Sequence, residues 1–563
     1  MMQTWARRLL AGSMLLGGVA TALPAVAYVP EGTDFAARAG SAASLALADV
    51  ASDPSATALR DLLGEANRDL AFADKRDRAG IAEFYKERHY LPLWTENGFL
   101  TPRAKAVIAR IARADEDGLD PAAYILPAPG LGERVAAAPS LVARLELIVS
   151  RAVLLYARQA DGGRLDPRTL SKLMTPKAHY PDPVEVLRRV GNESDPAAAL
   201  ASYNPQHPGF QDLRRELAAE RAAEAAPRPE PVPGGPSLRL GQRDPRVPAL
   251  RARLGVAAPA DAADADLYDL TLEEAVVLFQ RAHGLSTDGV VGSGTLGVMN
   301  AAVVDKVPVI LANMERWRWL PRDLGRFHVM VNIPAFELDV VRDGEIVHET
   351  RVVVGKPTNQ SPIFSDEIES IVVNPYWNVP SSIAVKEMLP RIQADPYYLT
   401  RQNYEVLANV GGRMRAVDPG MIDWNSSAAR SVRIRQIPGD DNALGDIKFL
   451  FPNEHAVYLH DTPSKSFFQR DMRALSHGCI RVMNPFDFAD ALVSEQPNIT
   501  GAKLRAMVGG REAWVNLPRH VPVHLTYFTA FVDADGRLVT RPDIYGHDAK
   551  MIKAMEAQGG APS

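Results

Sequence analysis

The period of the hydrophobic pattern changes from helical to alternating near residue 318, and that change constrains the fold more than any other feature. Before it, apolar residues recur every three to four positions, as in LVARLELIVSRAVLLYARQ, which is typical of amphipathic or buried helices. After it, they alternate, as in RFHVMVNIPAFELDVV, and an Asp343-Gly344 pair then marks a hairpin turn. The pattern predicts a multidomain α+β chain with a helical N-terminal part and a β-rich C-terminal part.

Proline and glycine divide the chain further. The stretch AAPRPEPVPGGPS breaks every hydrophobic pattern and predicts a linker between two helical units. Ahead of the first unit lies a stretch rich in Ala, Ser and Asp, with room for one short helix. The predicted segments are, in chain order, a signal peptide (1–27), a flexible lead-in (28–74), a helical scaffold (75–224), a linker (225–237), a three-helix unit (238–301), a β domain (318–545), and a C-terminal helix and tail (546–563).

The first 27 residues have the plan of a secretory signal peptide. Arg7 and Arg8 precede an apolar run, and Ala25-Val26-Ala27 has the small residues of a cleavage site. The apolar run is shorter than the roughly 20 residues of a comfortable membrane span. The sequence therefore predicts export from the cytoplasm. The alternative is a retained inner-membrane anchor, and only in that case is a membrane a partner.

The charge balance excludes one class of partner. A formal net charge of −5 over 563 residues offers no basic surface for nucleic acid. We therefore expect no nucleic-acid partner.

Cys479, within SHGCIRV, is the single cysteine of the chain. It cannot form an internal disulfide, so it is a buried inert thiol, an intermolecular bridge or a reactive group. A reactive thiol needs an imidazole nearby to accept its proton. His477 is two residues before it, and His460 is 19 residues before it, at the end of an apolar AVYL segment.

A loop between the two segments would let their ends lie side by side. His460 could then reach Cys479, and the amides around Gly478 and Cys479 could form an oxyanion hole. The alternative is a zinc site built from His460, Asp461, His477 and Cys479. Zinc-site cysteines usually come in closely spaced pairs, so we expect no metal and no other cofactor.

Residues 383–431 interrupt the β pattern with helical and polar sequence. We expect this insertion to leave the sheet as a helical cap or lid. The three-helix unit contains a second local signal: Thr271 followed by Glu274 predicts a capping box at the start of a helix.

The unit at 238–301 resembles the small peptidoglycan-binding domain of many cell-wall enzymes. Most of the matching positions are core or turn residues, so they support the fold more than they support binding. The matching residues are Gly241, Val247, Leu250, Phe279, Gln280, Gly284, Leu285, Asp288, Gly289, Gly292 and Thr295.

HDTP followed by SHGCIRV, with 15 residues between His460 and Ser476, resembles the signature of the L,D-transpeptidases, cysteine enzymes of bacterial cell walls. Segments such as NPYWNVPSSIAVKEMLP and RQIPGDDNALGDIKFLFPN resemble the large periplasmic branch of that family, and the likeness runs from about 80 to 545. The resemblance implies a helical scaffold, a peptidoglycan-binding domain and a mainly-β catalytic domain with a helical cap, in the periplasm.

The resemblance also assigns roles. Cys479 is expected to be the nucleophile and His460 its base, while Ser476, His477 and Gly478 shape the site and its anion hole. Large members of the family often have no histidine at the position of His477, so an orienting or substrate-contacting role is expected for it.

Ser476 and four further residues are candidate substrate contacts. Tyr458 lies two residues before His460 and on the same strand face. Trp377 and Asn378 are weaker candidates because a strand tryptophan is more often a core residue. Arg481 either stabilises the loop or meets a substrate carboxylate.

The implied reaction is a 3→3 cross-link between peptidoglycan stem peptides, with release of D-Ala from a tetrapeptide donor. Such an enzyme contributes to cell-wall organisation and cell shape, is acylated by carbapenems, and has the two stems and other cell-wall synthesis proteins as partners. Two alternatives keep the same site and use water or a lipoprotein as acceptor. A third is a wall-binding scaffold without catalysis.

Overall fold

The computed structural model of the protein describes residues 53–64, 74–128, 138–177, 179–225, 230–282, 285–300 and 305–559. The predicted signal peptide and most of the predicted lead-in lie outside the described residues. Within the described ranges, none of the helices combines the length and the apolar character needed to cross a membrane.

Helices dominate the N-terminal half, and others lie among the strands of the C-terminal half. They are α1 (Pro54–Gly64), α2 (Lys75–Glu87), α3 (Pro102–Ile111), α4 (Pro139–Gly162), α5 (Pro167–Leu170), α6 (Pro183–Asn192), α7 (Pro196–Ala201), α8 (Pro208–Ala225), α9 (Val247–Leu254), α10 (Leu270–Ala282), α11 (Ser293–Asn300), α12 (Val307–Arg318), α13 (Ser381–Ile383), α14 (Leu389–Ala394), α15 (Tyr398–Arg401), α16 (Pro485–Val493), α17 (Gly501–Ala506) and α18 (His547–Gly559).

Strands dominate the C-terminal half, and a short two-stranded hairpin lies in the N-terminal half. They are β1 (Thr95–Glu96), β2 (Phe99–Leu100), β3 (Phe327–Asn332), β4 (Glu337–Arg342), β5 (Glu345–Gly355), β6 (Phe364–Val373), β7 (Trp377–Asn378), β8 (Tyr404–Val410), β9 (Arg413–Val417), β10 (Arg433–Gln436), β11 (Ile447–Leu450), β12 (Leu459–His460), β13 (Ala474–Ser476), β14 (Ile480–Val482), β15 (Ala513–Thr526), β16 (Ala530–Val532) and β17 (Leu538–Thr540).

The scaffold helices pack around α4, whose buried face carries the glutamate Glu146. This carboxylate is fully buried, yet it accepts hydrogen bonds from the Tyr85 hydroxyl at 2.7 Å and from the amides of Leu93 and Trp94 at 2.8 Å. A buried charge is tolerated when its acceptor sites are filled in this way. Glu146 therefore holds the segment before the β1–β2 hairpin against the helical core.

The three-helix unit corrects one local prediction. Helix α10 begins at Leu270, and the Asp269 carboxylate accepts the Leu272 amide at 2.9 Å. Thr271 therefore lies inside the helix, and its prediction as N-cap is wrong because Asp269 already occupies the capping position. Gln280, which matches the resembled domain, bonds to the Gly289 amide at 3.0 Å, so it fixes a turn of the fold.

The β domain is built on one nine-stranded sheet with the order β13-β5-β14-β12-β11-β6-β15-β3-β4. An additional pairing of β5 with β4 closes the sheet on itself. Val329, Val331, Ile371 and Leu525 are fully buried inside it, as the alternating pattern predicts. The sheet brings β12 and β14 together as parallel neighbours, although a long loop separates them in sequence.

The insertion carries the expected helices, α13 to α15 with a π-helical turn at Ala384–Met388, around a small core of its own. It also contains β8 and β9, which join β7 and β10 in a four-stranded sheet that the helical prediction did not include. The reason is that β9 exposes nearly every side chain and β8 buries only Val406, so neither strand has the run of buried apolar residues that marks a core strand.

Candidate active site

The ends of β12 and β14 place four of the predicted residues on one wall of a cavity. His460 pairs with Arg481, so these two side chains point to the same face of the sheet. Tyr458 and Cys479 lie two residues before them and share that face, whereas the paired Leu459 and Ile480 point to the opposite face. Tyr458, His460, Cys479 and Arg481 all line a cavity of about 380 Å³.

The His460 imidazole is held in one tautomer. Its Nδ1 lies 2.5 Å from the Asp461 carbonyl oxygen, which can only accept, so Nδ1 carries the proton and Nε2 is the free base. His460 is 4% exposed, and burial together with the charges of Arg481 and Lys448 lowers its pKa to about 3. The imidazole is therefore neutral near pH 7, with an unprotonated Nε2.

The Cys479 thiol is also neutral at rest. Burial raises its pKa, while hydrogen bonding with Tyr458 and the charge of Arg481 oppose that rise. Tyr458 is the residue whose hydrogen bonding lowers the pKa of the thiol, and no hydrogen bond joins Cys479 to His460 within the described residues. Catalytic hydrogen bonds often tighten only when substrate is bound, so this geometry is compatible with proton transfer from Cys479 to His460.

The loop that carries the thiol is closed by Ser476. Its buried hydroxyl donates to the Cys479 carbonyl at 2.5 Å and accepts the Gly478 amide at 3.1 Å. Gly478 has a φ of +118°, which L side chains rarely adopt. The Gly478 amide is held by the Ser476 hydroxyl, whereas the Cys479 amide has no acceptor within the described part of the chain, and the oxyanion hole stays a prediction.

His477 faces the cap, away from His460. Its Nε2 lies 2.8 Å from Glu387 Oε1 and 3.5 Å from Lys356 Nζ. Glu387 belongs to the π-helical turn of the insertion and lines the same cavity as the thiol. His477 therefore connects the thiol-bearing loop to the cap.

Arg481 is a cation beside the thiol. Its guanidinium lies 5.5 Å from the Phe467 ring centroid, and its buried Nε has no hydrogen-bond partner in the described structure. Burial lowers its pKa, and the thiolate form of Cys479 would raise it. Stacking on Phe467 fits the loop-stabilising prediction, and the unpartnered Nε fits the carboxylate-binding prediction.

The remaining predicted contacts lie on β7, which pairs with β10. Trp377 lines the cavity that contains Cys479, whereas Asn378 lines a separate cavity of about 680 Å³ within the cap. Sequence reasoning missed Glu387 and Asn359, which also line the catalytic cavity. Both lie outside the regular strand pattern, and only the family-like segment containing Glu387 pointed to its region.

Among the described residues, the four side chains of the alternative zinc site are not grouped so that they could hold a metal ion. The Asp461 carboxylate pairs with Lys465 and accepts the Asp446 amide at 3.1 Å. The His477 imidazole is engaged by Glu387. These side chains therefore do not converge with Cys479 on a common point.

Comparison with known families assigns three segments. Residues 326–497 match the L,D-transpeptidase catalytic domain, residues 79–217 match the Scaffold domain, and residues 243–299 match the "Putative peptidoglycan binding domain". These matches agree with the α+β organisation and with the resemblances stated from the sequence.

Similar proteins carry related names. A Haemophilus influenzae protein named "Putative L,D-transpeptidase" is 38% identical over 242 residues, which are 42% of this chain and 48% of that protein. The chain thus spans about half the length of that curated relative. A solved L,D-transpeptidase from Mycobacterium smegmatis is 15% identical, covering 36% of this chain and 58% of its own, with a TM-score of 0.18. One from Xylanimonas cellulosilytica is 18% identical, covering 52% and 98%, with a TM-score of 0.14.

Proposed function

We propose that this chain, whose residues 326–497 match the L,D-transpeptidase catalytic domain, is a cysteine-dependent enzyme that forms 3→3 cross-links in peptidoglycan. One observation carries the proposal. The only cysteine of the chain and a histidine with a free Nε2 project from neighbouring parallel strands into one cavity.

The first half-reaction is acylation. Nε2 of His460 takes the thiol proton as Sγ of Cys479 attacks the carbonyl between the third residue of a tetrapeptide stem and its terminal D-Ala. The C–N bond breaks, the imidazolium gives its proton to the leaving amine of D-Ala, and a thioester remains. Because thiol and imidazole are both neutral at rest, the proton moves only as attack begins.

The second half-reaction transfers the acyl group. The side-chain amine of another stem's third residue attacks the thioester, His460 accepts the amine's proton, and the proton returns to the Cys479 sulfur. An amide is broken and an amide is formed, so the reaction needs no ATP. The cap side of the cavity, with Ser382, Ile383 and Glu387, is suited to shield the thioester from water.

Arg481 supports substrate binding in this scheme. A stem peptide ends in a carboxylate, and the unpartnered Nε of a buried guanidinium is a donor for such a group. Tyr458 and Trp377 complete the wall that the peptide would contact.

The setting follows from the same proposal. The match at 243–299 favours attachment to the wall, and the signal-like N-terminus favours a periplasmic location with cell-wall synthesis proteins as neighbours. Hydrolysis, or exchange with a lipoprotein acceptor, would use the same cysteine and histidine. A purely wall-binding role would not require Cys479 and His460 to line the same cavity.

The test is to incubate the purified protein with disaccharide-tetrapeptide fragments and to measure the products by mass spectrometry. Dimers with loss of one D-Ala support cross-linking, tripeptide monomers indicate hydrolysis, and Cys479→Ala should abolish both. A single carbapenem adduct on the wild type, absent from Cys479→Ala, would support the thiol assignment independently. Turnover that survives in Cys479→Ala would overturn the proposal.

A further inference from the structure

Behind the thiol-bearing loop lies a buried set of hydrogen bonds that the proposed reaction does not use directly. Ser361 is 1% exposed and lies in the loop between β5 and β6, and Tyr545 is 6% exposed and lies in the segment before α18. Tyr545 is outside the residues that match the catalytic domain family. The Ser361 hydroxyl bonds to the carbonyl of Gly478, the residue before Cys479, and the Tyr545 hydroxyl bonds to the turn that carries Ser361.

The direction of each hydrogen bond follows from its partners. The Ser361 hydroxyl accepts the Gly355 amide at 3.0 Å, and its single proton is donated to the Gly478 carbonyl at 2.7 Å. The Tyr545 hydroxyl accepts the Ser361 amide at 3.2 Å and donates to the Gly355 carbonyl at 2.5 Å. The two hydroxyl groups therefore join the backbones of Gly355, Ser361 and Gly478 by hydrogen bonds.

Close packing allows this arrangement. A Cβ on Gly355 would lie 2.1 Å from the Asn359 carbonyl oxygen and 2.7 Å from the Ser361 amide nitrogen, so only glycine fits there. Because Gly355 has no side chain, the turn can fold back and bring Ser361 beneath Gly478.

The consequence is a fixed peptide plane at the nucleophile. In a trans peptide the C=O and N–H bonds point in opposite directions. Since the Gly478 carbonyl points to Ser361, the N–H of Cys479 points away from Ser361, and Cys479 itself lines the cavity. That amide has no acceptor among the described residues, while the Gly478 amide is held by Ser476.

We infer that Ser361, supported by Tyr545, is a positioning residue that aims the Cys479 amide at the oxyanion formed during acyl transfer. The inference rests on the proposed function, because it needs Cys479 to attack a carbonyl. Neither hydroxyl touches the substrate; each acts through the backbone of the loop. Donors to a developing oxyanion must be oriented in advance to be effective.

Two reactions of the same sulfur separate this role from a merely structural one. Attack on a stem peptide passes through an oxyanion, whereas alkylation by iodoacetamide is a displacement at carbon that forms none. Ser361→Ala should lower the rate of D-Ala release about 10- to 100-fold, somewhat less than loss of a whole oxyanion donor. Iodoacetamide alkylation should stay within about twofold, because it tests only the thiol and its surroundings.

Three further variants complete the design. Ser361→Thr keeps the hydroxyl and should retain most of the D-Ala release. Tyr545→Phe should lower the ratio of D-Ala release to alkylation in the same direction but less, and it keeps the test available if Ser361→Ala does not fold. The matched control is Ser150→Ala, which removes another buried hydroxyl, bonded to the Trp94 indole at 2.8 Å in the scaffold, and should leave the ratio unchanged.

The outcomes are distinct. A fall in the ratio for Ser361→Ala and Tyr545→Phe, but not for Ser150→Ala, supports the inference. Parallel loss of both rates, or an unchanged ratio, overturns it while leaving the proposed function in place. Absence of D-Ala release by the wild type, or turnover that survives alkylation of Cys479, overturns the proposed function and the inference with it.

Discussion

The two walls of the catalytic cavity are built in different ways. The sheet wall holds its groups in buried hydrogen bonds: His460 is 4% exposed and Ser476 is 2% exposed. The cap wall meets the thiol-bearing loop through Glu387 and His477, whose side chains are 51% and 34% exposed. In the proposed reaction, the sheet would therefore fix the reacting groups, while the cap would control what reaches them.

Energetics supports this division. Even a fully charged exposed pair contributes only about 0–1 kcal/mol, so the exposed hydrogen bond between Glu387 and His477 can break and reform easily. Leaving a buried donor or acceptor without a partner costs about 1–3 kcal/mol, so the hydrogen bonds around Ser476 and Gly478 hold one geometry. Changes to the sheet wall should therefore affect the chemistry, and changes to the cap wall should affect which acceptor is used.

The largest expected effect comes from the sheet wall. His460→Ala removes the base and should lower the rate of D-Ala release about 10²–10⁴-fold. The matched control is His477→Ala, a histidine of the neighbouring loop that faces the cap, which should lower the rate by less than tenfold. Equal losses in the two variants, measured under single-turnover conditions, would contradict the different roles expected for the two walls.

The next effect comes from removing the cap. Asn378 and Trp377 pair with Arg435 and Gln436, so the two ends of the insertion are adjacent, and a short Gly/Ser linker can replace residues 383–431. Exposure of the thioester to water should raise the ratio of tripeptide monomer to cross-linked dimer about tenfold. Unchanged partitioning in a variant that still releases D-Ala would show that the insertion is not a lid.

The sequence predicts the sheet wall better than the cap wall, for a physical reason. The apolar segments that carry His460 and Cys479 have strand patterns, and burying both in one sheet brings them together. Glu387 lies in an irregular turn whose position depends on how the insertion folds. Ser361 meets Gly478, and Tyr545 meets Ser361, from more than 60 residues away in sequence, through hydrogen bonds that no periodic pattern in the sequence predicts.

A pH experiment sharpens the description of the sheet wall. Burial raises the pKa of the Cys479 thiol and lowers that of His460 to about 3, so both groups are neutral between pH 5 and 8. The rate of iodoacetamide alkylation should therefore rise with pH beyond about 8.5, the ordinary range of a thiol, and should be several-fold slower at pH 7 than for the unfolded chain. A plateau below pH 6 would instead reveal a thiolate–imidazolium pair.

The smallest expected effect concerns the contact between the walls. Glu387→Gln keeps the side-chain shape but removes the charge facing His477, and a loss of less than about 1 kcal/mol corresponds to at most about a fivefold change. The ratio of hydrolysis to cross-linking should rise about two- to threefold, measured from the masses of the products. Asp395→Asn removes an ion pair with Arg401 within the cap, away from the thiol-bearing loop, and should leave that ratio unchanged.

If Glu387 acts through His477, His477→Ala combined with Glu387→Gln should raise the ratio no further than His477→Ala alone, whereas additive effects would mean that each residue contacts substrate separately.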